Sequence, residues 1–304
     1  MAEVPYRIGR HWAQLSRPKA FGVVTAAYVL AALAGWAVVI ALKSWHPIGA
    51  LFWADIVATV VIFALSMLLA NSSLYDPYWS LAPPLIAVAW LLSTSDGVAL
   101  RQVCLLVLMT VWAVRLTANW AIGWTGFGHE DWRYVQIRNE SGGRLPWWLV
   151  SFTGIQLVPT LVVFLGMLPV WPAITGSKPF GLIDIAAILV TAGFIGIEAL
   201  SDIQLRRFTS DPANRGKTVD IGLWKHSRHP NYLGEIGFWW GMWLFGLAAA
   251  PNWWWTVIGP LAMVGLFLGV SIPLMERRSL SRRPAYAAYQ KAVPVLVPWR
   301  LGRK

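Results

Sequence analysis

Cysteine is nearly absent from this chain of 304 residues, where Cys104 stands alone. A disulfide within the chain is therefore impossible, and a thiolate metal cluster is excluded. Histidines number only 5 and no His-Glu-x-x-His pair occurs, so no metal is assigned. Glycine-rich phosphate loops are missing as well. No Gly-x-Gly-x-x-Gly opens a helix after a strand, which removes a Rossmann domain but not nucleotide binding by another fold. Arg215-Gly216-Lys217-Thr218 looks like the end of a P-loop, but Asp211 stands where the first glycine belongs. No low-complexity linker and no repeat of solenoid period is apparent, so residues 1–304 read as a single membrane domain.

Charge is also scarce, at 13% of residues, while 57% are hydrophobic and the mean hydropathy is +0.55. Windows of about 20 mostly apolar residues, the length that crosses a bilayer as a helix, run from Phe21 to Leu42, Leu51 to Ala70, Tyr78 to Ser93, Gln102 to Trp120, Trp147 to Trp171, Phe180 to Leu200, Gly234 to Ala250 and Trp254 to Met275. The expected fold is all-α, a polytopic transmembrane helical bundle of about eight spans, of which the third and seventh are short. The first span follows basic residues as a signal peptide would, but it is too long for an h-region and is expected to be retained.

The net charge of +11 does not form one block, which argues against nucleic acid as a partner. With the N-terminus inside, Arg7, Arg10, Arg17 and Lys19, then Arg133, Arg138 and Arg144, then Arg206 to Arg228 and the basic C-terminal tail all fall on one side. Lys43, Arg101 and Lys178 fall on the other. This bias predicts cytoplasmic termini in an integral membrane protein, with lipids as neighbours. Many of the 21 tryptophans stand at span edges and read as interfacial anchors.

Polar chemistry gathers in two inner loops, Ala121 to Pro146 and Ile203 to Pro230. Within the spans, Asp55, Arg115, Asp184, Glu198 and Asp202 are the ionisable residues, and such residues in lipid are paired or functional by default. Asp55 and Asp184 lie near span ends, where solvation explains them equally well. Glu198, Asp202 and Arg206 recur every four residues and share one face of the sixth span, either as a local ion pair or toward a ligand. The run Ser227-Arg228-His229-Pro230-Asn231-Tyr232-Leu233-Gly234-Glu235 opens an apolar helix with Pro230 at its first position. Free N–H groups flanked by Arg228 and His229 outline an anion site, and Asn231 and Glu235 share one helix face. The plainer alternative is a basic helix end anchored to headgroups.

Several stretches carry a resemblance: Asn71 to Ser80, Gly128 to Tyr134, Ser201 to Phe208, Gly222 to Glu235 and Tyr286 to Trp299. Together they resemble a bacterial membrane family grouped with the steroid 5α-reductases and sterol reductases. The resemblance covers nearly the whole chain and is strongest from Ser201 onward. It implies a bundle of about seven to ten membrane helices, set in a bacterial inner membrane. Its C-terminal half (147–304) would grip NADPH from the cytoplasmic side, and its N-terminal half (1–146) would carry the substrate side. By that resemblance the cofactor contacts are Ser201, Asp202, Arg206, Asn231, Tyr232 and Glu235, joined by Arg228 and His229 of the basic helix start. Where those reductases have an asparagine before the serine-aspartate pair, this chain has Glu198. Glu276, Arg277, Tyr286 and Tyr289 occupy the place of the reductases' histidine- and arginine-rich helix.

Arg228 to Gly234 followed by Glu276-Arg277-Arg278 also resembles the isoprenylcysteine carboxyl methyltransferases, which bind S-adenosylmethionine. Two enzyme classes thus remain open, beside a non-enzymatic membrane protein. The reductase expectation is reduction of an activated C=C bond in a lipophilic enone, steroid-like or isoprenoid. Hydride at the β-carbon leaves an enolate, so a donor must face the carbonyl oxygen. Candidates for it are Tyr75 and Asp76 beside the second span and Glu130, Asp131 and Tyr134 in the next inner loop. A carboxyl buried in a lipid-lined cavity shifts in the direction an acid needs. The bland readings are turn chemistry for Asp76-Pro77 and a solvated ion cluster for Glu130 and Asp131 beside Arg133.

Overall fold

The structure, a computed structural model, describes residues 9–141 and 145–297. Arg7, Arg144 and the chain beyond Val297, all part of the basic census or the resemblance, lie outside the described residues. Every apolar window becomes a helix. In chain order these are Arg17–Ala41, Pro47–Leu68, Tyr78–Leu92, Ala99–Gly123, Trp147–Thr175, Leu182–Ser210, Pro230–Ala249 and Pro251–Arg282. Below they are the first to eighth helices. Among the described residues 6 are long and apolar enough to cross a membrane. The third helix, with 15 residues, is short, and the seventh is largely buried inside the protein. No strand occurs among the described residues. Val29, Leu33, Trp36 and Ile40 on the first helix and Leu182 and Leu189 on the sixth are exposed. Apolar side chains at such positions need lipid, and the chain is an integral membrane protein.

The chain divides into two interleaved compact units. The first holds the chain up to Ser95 together with Met109–Phe164, and the second holds Asp96–Leu108 together with the chain from Leu165 on. In the first unit, small residues set the seam. Ala20, Val24, Ala27, Ala31 and Gly35 recur at helical spacing along the buried face of the first helix, and Ala58 and Ile62 of the second helix join the same core. Without a bulky Cβ layer the backbones come close, which is how helices associate in lipid. Asn71 caps a buried 3₁₀ turn, Ser72–Tyr75, whose Leu74 and Tyr75 plug that core.

In the second unit the sixth and seventh helices meet along Gly234, Gly237 and Gly241. A Cβ at these positions would collide with Glu198, Phe194 and Thr191 respectively. At the other end of this unit, Arg101 and Asp184 depart from expectation. Arg101 reads from the sequence as a surface cation and Asp184 as a span-end carboxylate, yet both are buried. Arg101 Nε donates to Asp184 Oδ1 at 2.6 Å, and its NH2 donates to the Lys178 carbonyl at 2.9 Å. A full set of acceptors is what makes a buried guanidinium tolerable.

Candidate functional site

Polar side chains collect at one place in each unit. In the first, Asn71 Nδ2 donates to the carbonyls of Phe127 and His129 at 3.1 and 3.0 Å. The Ser72 N–H donates to Glu130 Oε1 at 2.8 Å, and the Asp131 N–H donates to Ser73 Oγ at 2.7 Å. These bonds bind the capped turn to the loop that opens the helix Trp132–Ser141. They bring Tyr134 OH to Asp76 Oδ1 at 2.5 Å. Of the five catalytic candidates, Asp76 and Tyr134 are thus in direct contact. Glu130 is occupied elsewhere, accepting from Arg138 at 2.9 Å as well as from Ser72.

Electrostatics at this turn depend on how well each carboxylate is served. Burial pushes the Asp76 carboxyl up to about 7, against the pull of Arg133 at 4.0 Å. Asp131 shows the opposite balance. Burial would raise it, but Arg133, bonded through Nε and NH2 at 2.9 and 3.0 Å, holds it below the usual carboxylate range. Burial, with the Asp76 charge beside it, also raises the Tyr134 phenol. An acid near neutrality bonded to a phenol can give up or take back a proton at cellular pH.

Tyr75 points away from Asp76, into the bundle. Its hydroxyl and that of Thr160 are hydrogen-bonded at 2.8 Å, and Thr160 meets Thr59 at 3.0 Å. Thr59 in turn meets Tyr78, whose OH donates to Asp55 Oδ1 at 2.7 Å. Asp55, expected near a solvated span end, is buried at the end of this hydroxyl chain. The Ser72 and Ser151 hydroxyls pair at 3.2 Å beside it. Nothing in the sequence spacing announces the chain, because its members come from three helices and a turn.

The second cluster centres on Glu276 of the eighth helix. Arg228 Nε donates to Glu276 Oε1 at 2.6 Å, and Gln290 Nε2 donates to Oε2 at 2.6 Å. His229 Nε2 lies 3.2 Å from Oε1. Arg228 NH1 also donates to the Gln290 and Val293 carbonyls at 2.6 and 2.8 Å. Tyr289 OH donates to the Trp224 carbonyl at 2.5 Å, and Trp224 Nε1 donates to the Ser201 carbonyl at 3.1 Å. Burial and the Glu276 charge push the Tyr286 phenol up to about 12, and burial raises Tyr289 too. Arg228, expected at an anion, is instead engaged by protein acceptors.

The remaining cofactor candidates follow the two helices. Ser201 Oγ turns back to the Ile197 carbonyl at 2.6 Å. Glu198 is buried, Asp202 half-buried and Arg206 exposed, a gradient along the sixth helix toward its end. Glu235 is buried and accepts from Trp239 Nε1 at 2.8 Å. Tyr232 lies between the His229 ring, stacked nearly parallel to it with centroids 5.5 Å apart, and the Phe267 ring at 4.7 Å. Asn231 is half-buried, and its amide has no hydrogen-bond partner among the described residues. No group of His, Cys, Asp and Glu suited to a metal occurs among the described residues.

The model of a family described as a protein of unknown function, DUF1295, matches residues 62–293, which takes in both clusters. The chain belongs to the DUF1295 family. An uncharacterised protein of Schizosaccharomyces pombe is similar to it, 28% identical over 265 residues, or 78% of this chain and 76% of the yeast protein. No solved structure matches. The DUF1295 match begins in the second helix, so the first helix and its alanine seam lie outside the matched part.

Proposed function

We propose that this DUF1295 protein is an NADPH-dependent reductase of an activated C=C bond in a lipophilic enone, akin to the steroid 5α-reductases it resembles. The observation that carries this reading is the half-buried Asp76–Tyr134 pair. When bound, NADPH supplies the hydride that goes to the β-carbon. Asp76 in its acid form then gives a proton to the enolate, and Tyr134 bonds the carboxylate that remains, stabilising the charge where it develops. Burial of the turn keeps water from competing for that proton.

The second unit supplies groups that suit a dinucleotide in kind. Asn231 offers an unengaged amide, Tyr232 a ring face, and the exposed Arg207, Arg215 and Lys217 suit phosphates, including the 2′-phosphate that separates NADPH from NADH. Purified protein in detergent should melt higher with NADPH and be unmoved by S-adenosylmethionine, since a ligand of the folded state raises the melting point. The Arg228–Glu276 contact favours the methyltransferase as a second reading, because both residues belong to that resemblance. Stabilisation by S-adenosylmethionine alone would move the assignment there.

The charge bias supports cytoplasmic termini and cytoplasmic placement of the loops Ala121 to Pro146 and Ile203 to Pro230. A cysteine introduced as Arg215→Cys, in a Cys104→Ala background, should resist an impermeant thiol reagent applied to intact cells. Labelling from outside reverses the orientation.

A further inference from the structure

The fifth helix contains a π segment, Ser151–Leu157, of which Ser151, Ile155 and Gln156 are buried. A π turn closes over five residues where an α turn closes over four. Gln156 therefore lies one π turn beyond Ser151, and Thr160 lies one α turn beyond Gln156, so the three share a face. All three are buried, while Thr153, Gly154 and Val158 are exposed. The ends of this stripe are both paired to the capped turn of the second-to-third connection. Ser151 meets Ser72 at 3.2 Å and Thr160 meets Tyr75 at 2.8 Å. Gln156, between them, is 0% exposed, and neither its Oε1 nor its Nε2 has a hydrogen-bond partner among the described residues.

Two unpaired polar atoms on one fully buried side chain cost stability, and such groups in native proteins call for an explanation. In a bilayer the cost is not relieved by water from outside. A regular helix would have rotated residue 156 off this face, so the π segment places the amide there at some expense. π segments of this kind are frequent at functional sites.

We propose that Gln156 is a binding residue for the neutral oxygen of a lipophilic molecule, a carbonyl or hydroxyl, seated against the Ser72–Tyr75 turn. The amide offers an NH2 donor to a carbonyl oxygen and a carbonyl acceptor to a hydroxyl, which suits a neutral oxygen group. Its companions on the stripe, and the turn side chains they pair with, are hydroxyls. The carboxylate on the turn's backbone, Glu130, is already paired with Arg138, which favours a neutral ligand over an ionic one. The inference rests on the reductase reading only for the identity of that molecule as an enone, since Tyr75 neighbours the acid Asp76. The oxygen itself has two sources, an organic ligand or a buried water, and the two behave differently on mutation.

The test uses the full chain in detergent, wild type against Gln156→Leu and Gln156→Met, melted alone and with 4-cholesten-3-one, β-ionone or the oxygen-free 4-cholestene. Removing unpaired polar atoms should raise the melting temperature of the ligand-free variants by several degrees. An enone, but not 4-cholestene, should stabilise the wild type, and both variants should lose that shift. Lower melting of both variants, or failure of both to accumulate, overturns the proposal, because the amide then has partners within the fold or a resident water. Equal shifts by enone and hydrocarbon, or no shift by either enone, overturn it too. NADPH titration of the same samples separates the two readings. Loss of NADPH binding by the wild type removes the reductase assignment and leaves the oxygen site to stand or fall on the enone arms.

Discussion

The Asp76 turn and the Glu276 cluster are built from similar residue types and differ in how completely they are satisfied. Glu276 accepts from an arginine and a glutamine, with a histidine at its side, and its partner Arg228 also holds two carbonyls of the C-terminal segment. Asp76 has a phenol at 2.5 Å, the Ser73 side chain and a guanidinium only at 4.0 Å, and beside its turn lies an amide with no hydrogen-bond partner among the described residues. A carboxylate with full coordination holds structure together. One that is buried and underserved stays near the point of changing its protonation, which is a property chemistry uses and stability does not. The Asp76 turn thus keeps unspent polar capacity, and the Glu276 cluster uses its own in joining the eighth helix to the start of the seventh.

That contrast can be broken by mutation. The largest effect should follow Glu276→Ala, which leaves Arg228 without its charge partner. Loss of one member of a largely buried pair costs about 3 kcal/mol or more, so the melting temperature should fall sharply. A variant that melts like the wild type removes the clasp role. Next comes Asp76→Asn, expected to lower turnover of an enone by roughly a hundredfold, as loss of one preorganised group commonly does, with NADPH affinity nearly unchanged. Tyr134→Phe should follow it, whereas Glu130→Gln should not. Normal turnover in both Asp76→Asn and Tyr134→Phe ends the proton-donor assignment.

Smaller effects sharpen the same division. Asn231→Ala should weaken NADPH binding by about tenfold, the loss of one good hydrogen bond, while moving the melting temperature little. Equal titration curves for mutant and wild type take Asn231 out of the site. A further effect is on pH dependence. Asp76 has its folded pKa raised from 3.8 to about 7, so between those values the folded protein holds a proton that the unfolded chain releases. Its contribution to stability is therefore full below about pH 4, declines as pH rises and levels off near pH 7. Melting temperature measured from pH 4 to 8 should show that decline in wild type and a flatter profile in Asp76→Asn.

The helices were legible because the bilayer imposes one length and one composition on each span, and even the short third and seventh windows appear as helices. Asp76 and Tyr134 were each legible as a candidate acid, but in competing segments and not as a contact. Tyr75 was not, since a side chain adjacent in sequence can leave a 3₁₀ turn in another direction, and its hydroxyl goes to Thr160. Gln156 was hidden for a different reason. One extra residue in a turn breaks the 3.6-residue period by which faces are read, so Ser151, Gln156 and Thr160 do not line up in a helical count. The Arg228–Glu276 pair spans 48 positions and entered only through the methyltransferase resemblance. Arg101 and Asp184 misled because composition places a charge near a span end without telling whether a neighbouring loop closes over it.

The glycines of the seventh helix have a consequence for measurement at molecular scale. Gly234, Gly237 and Gly241 each receive a different neighbour from the sixth helix, a glutamate, a phenylalanine and a threonine. Three unlike teeth in three notches mesh at only one axial setting, so the pair behaves as a vernier with a single reading. Asp202 continues the face of Glu198, and Asn231 stands one turn before Gly234. The offset between that carboxylate and that amide is consequently fixed by a seam neither residue belongs to. A leucine at Gly237 would reset it, although every side chain near the cofactor candidates stayed the same.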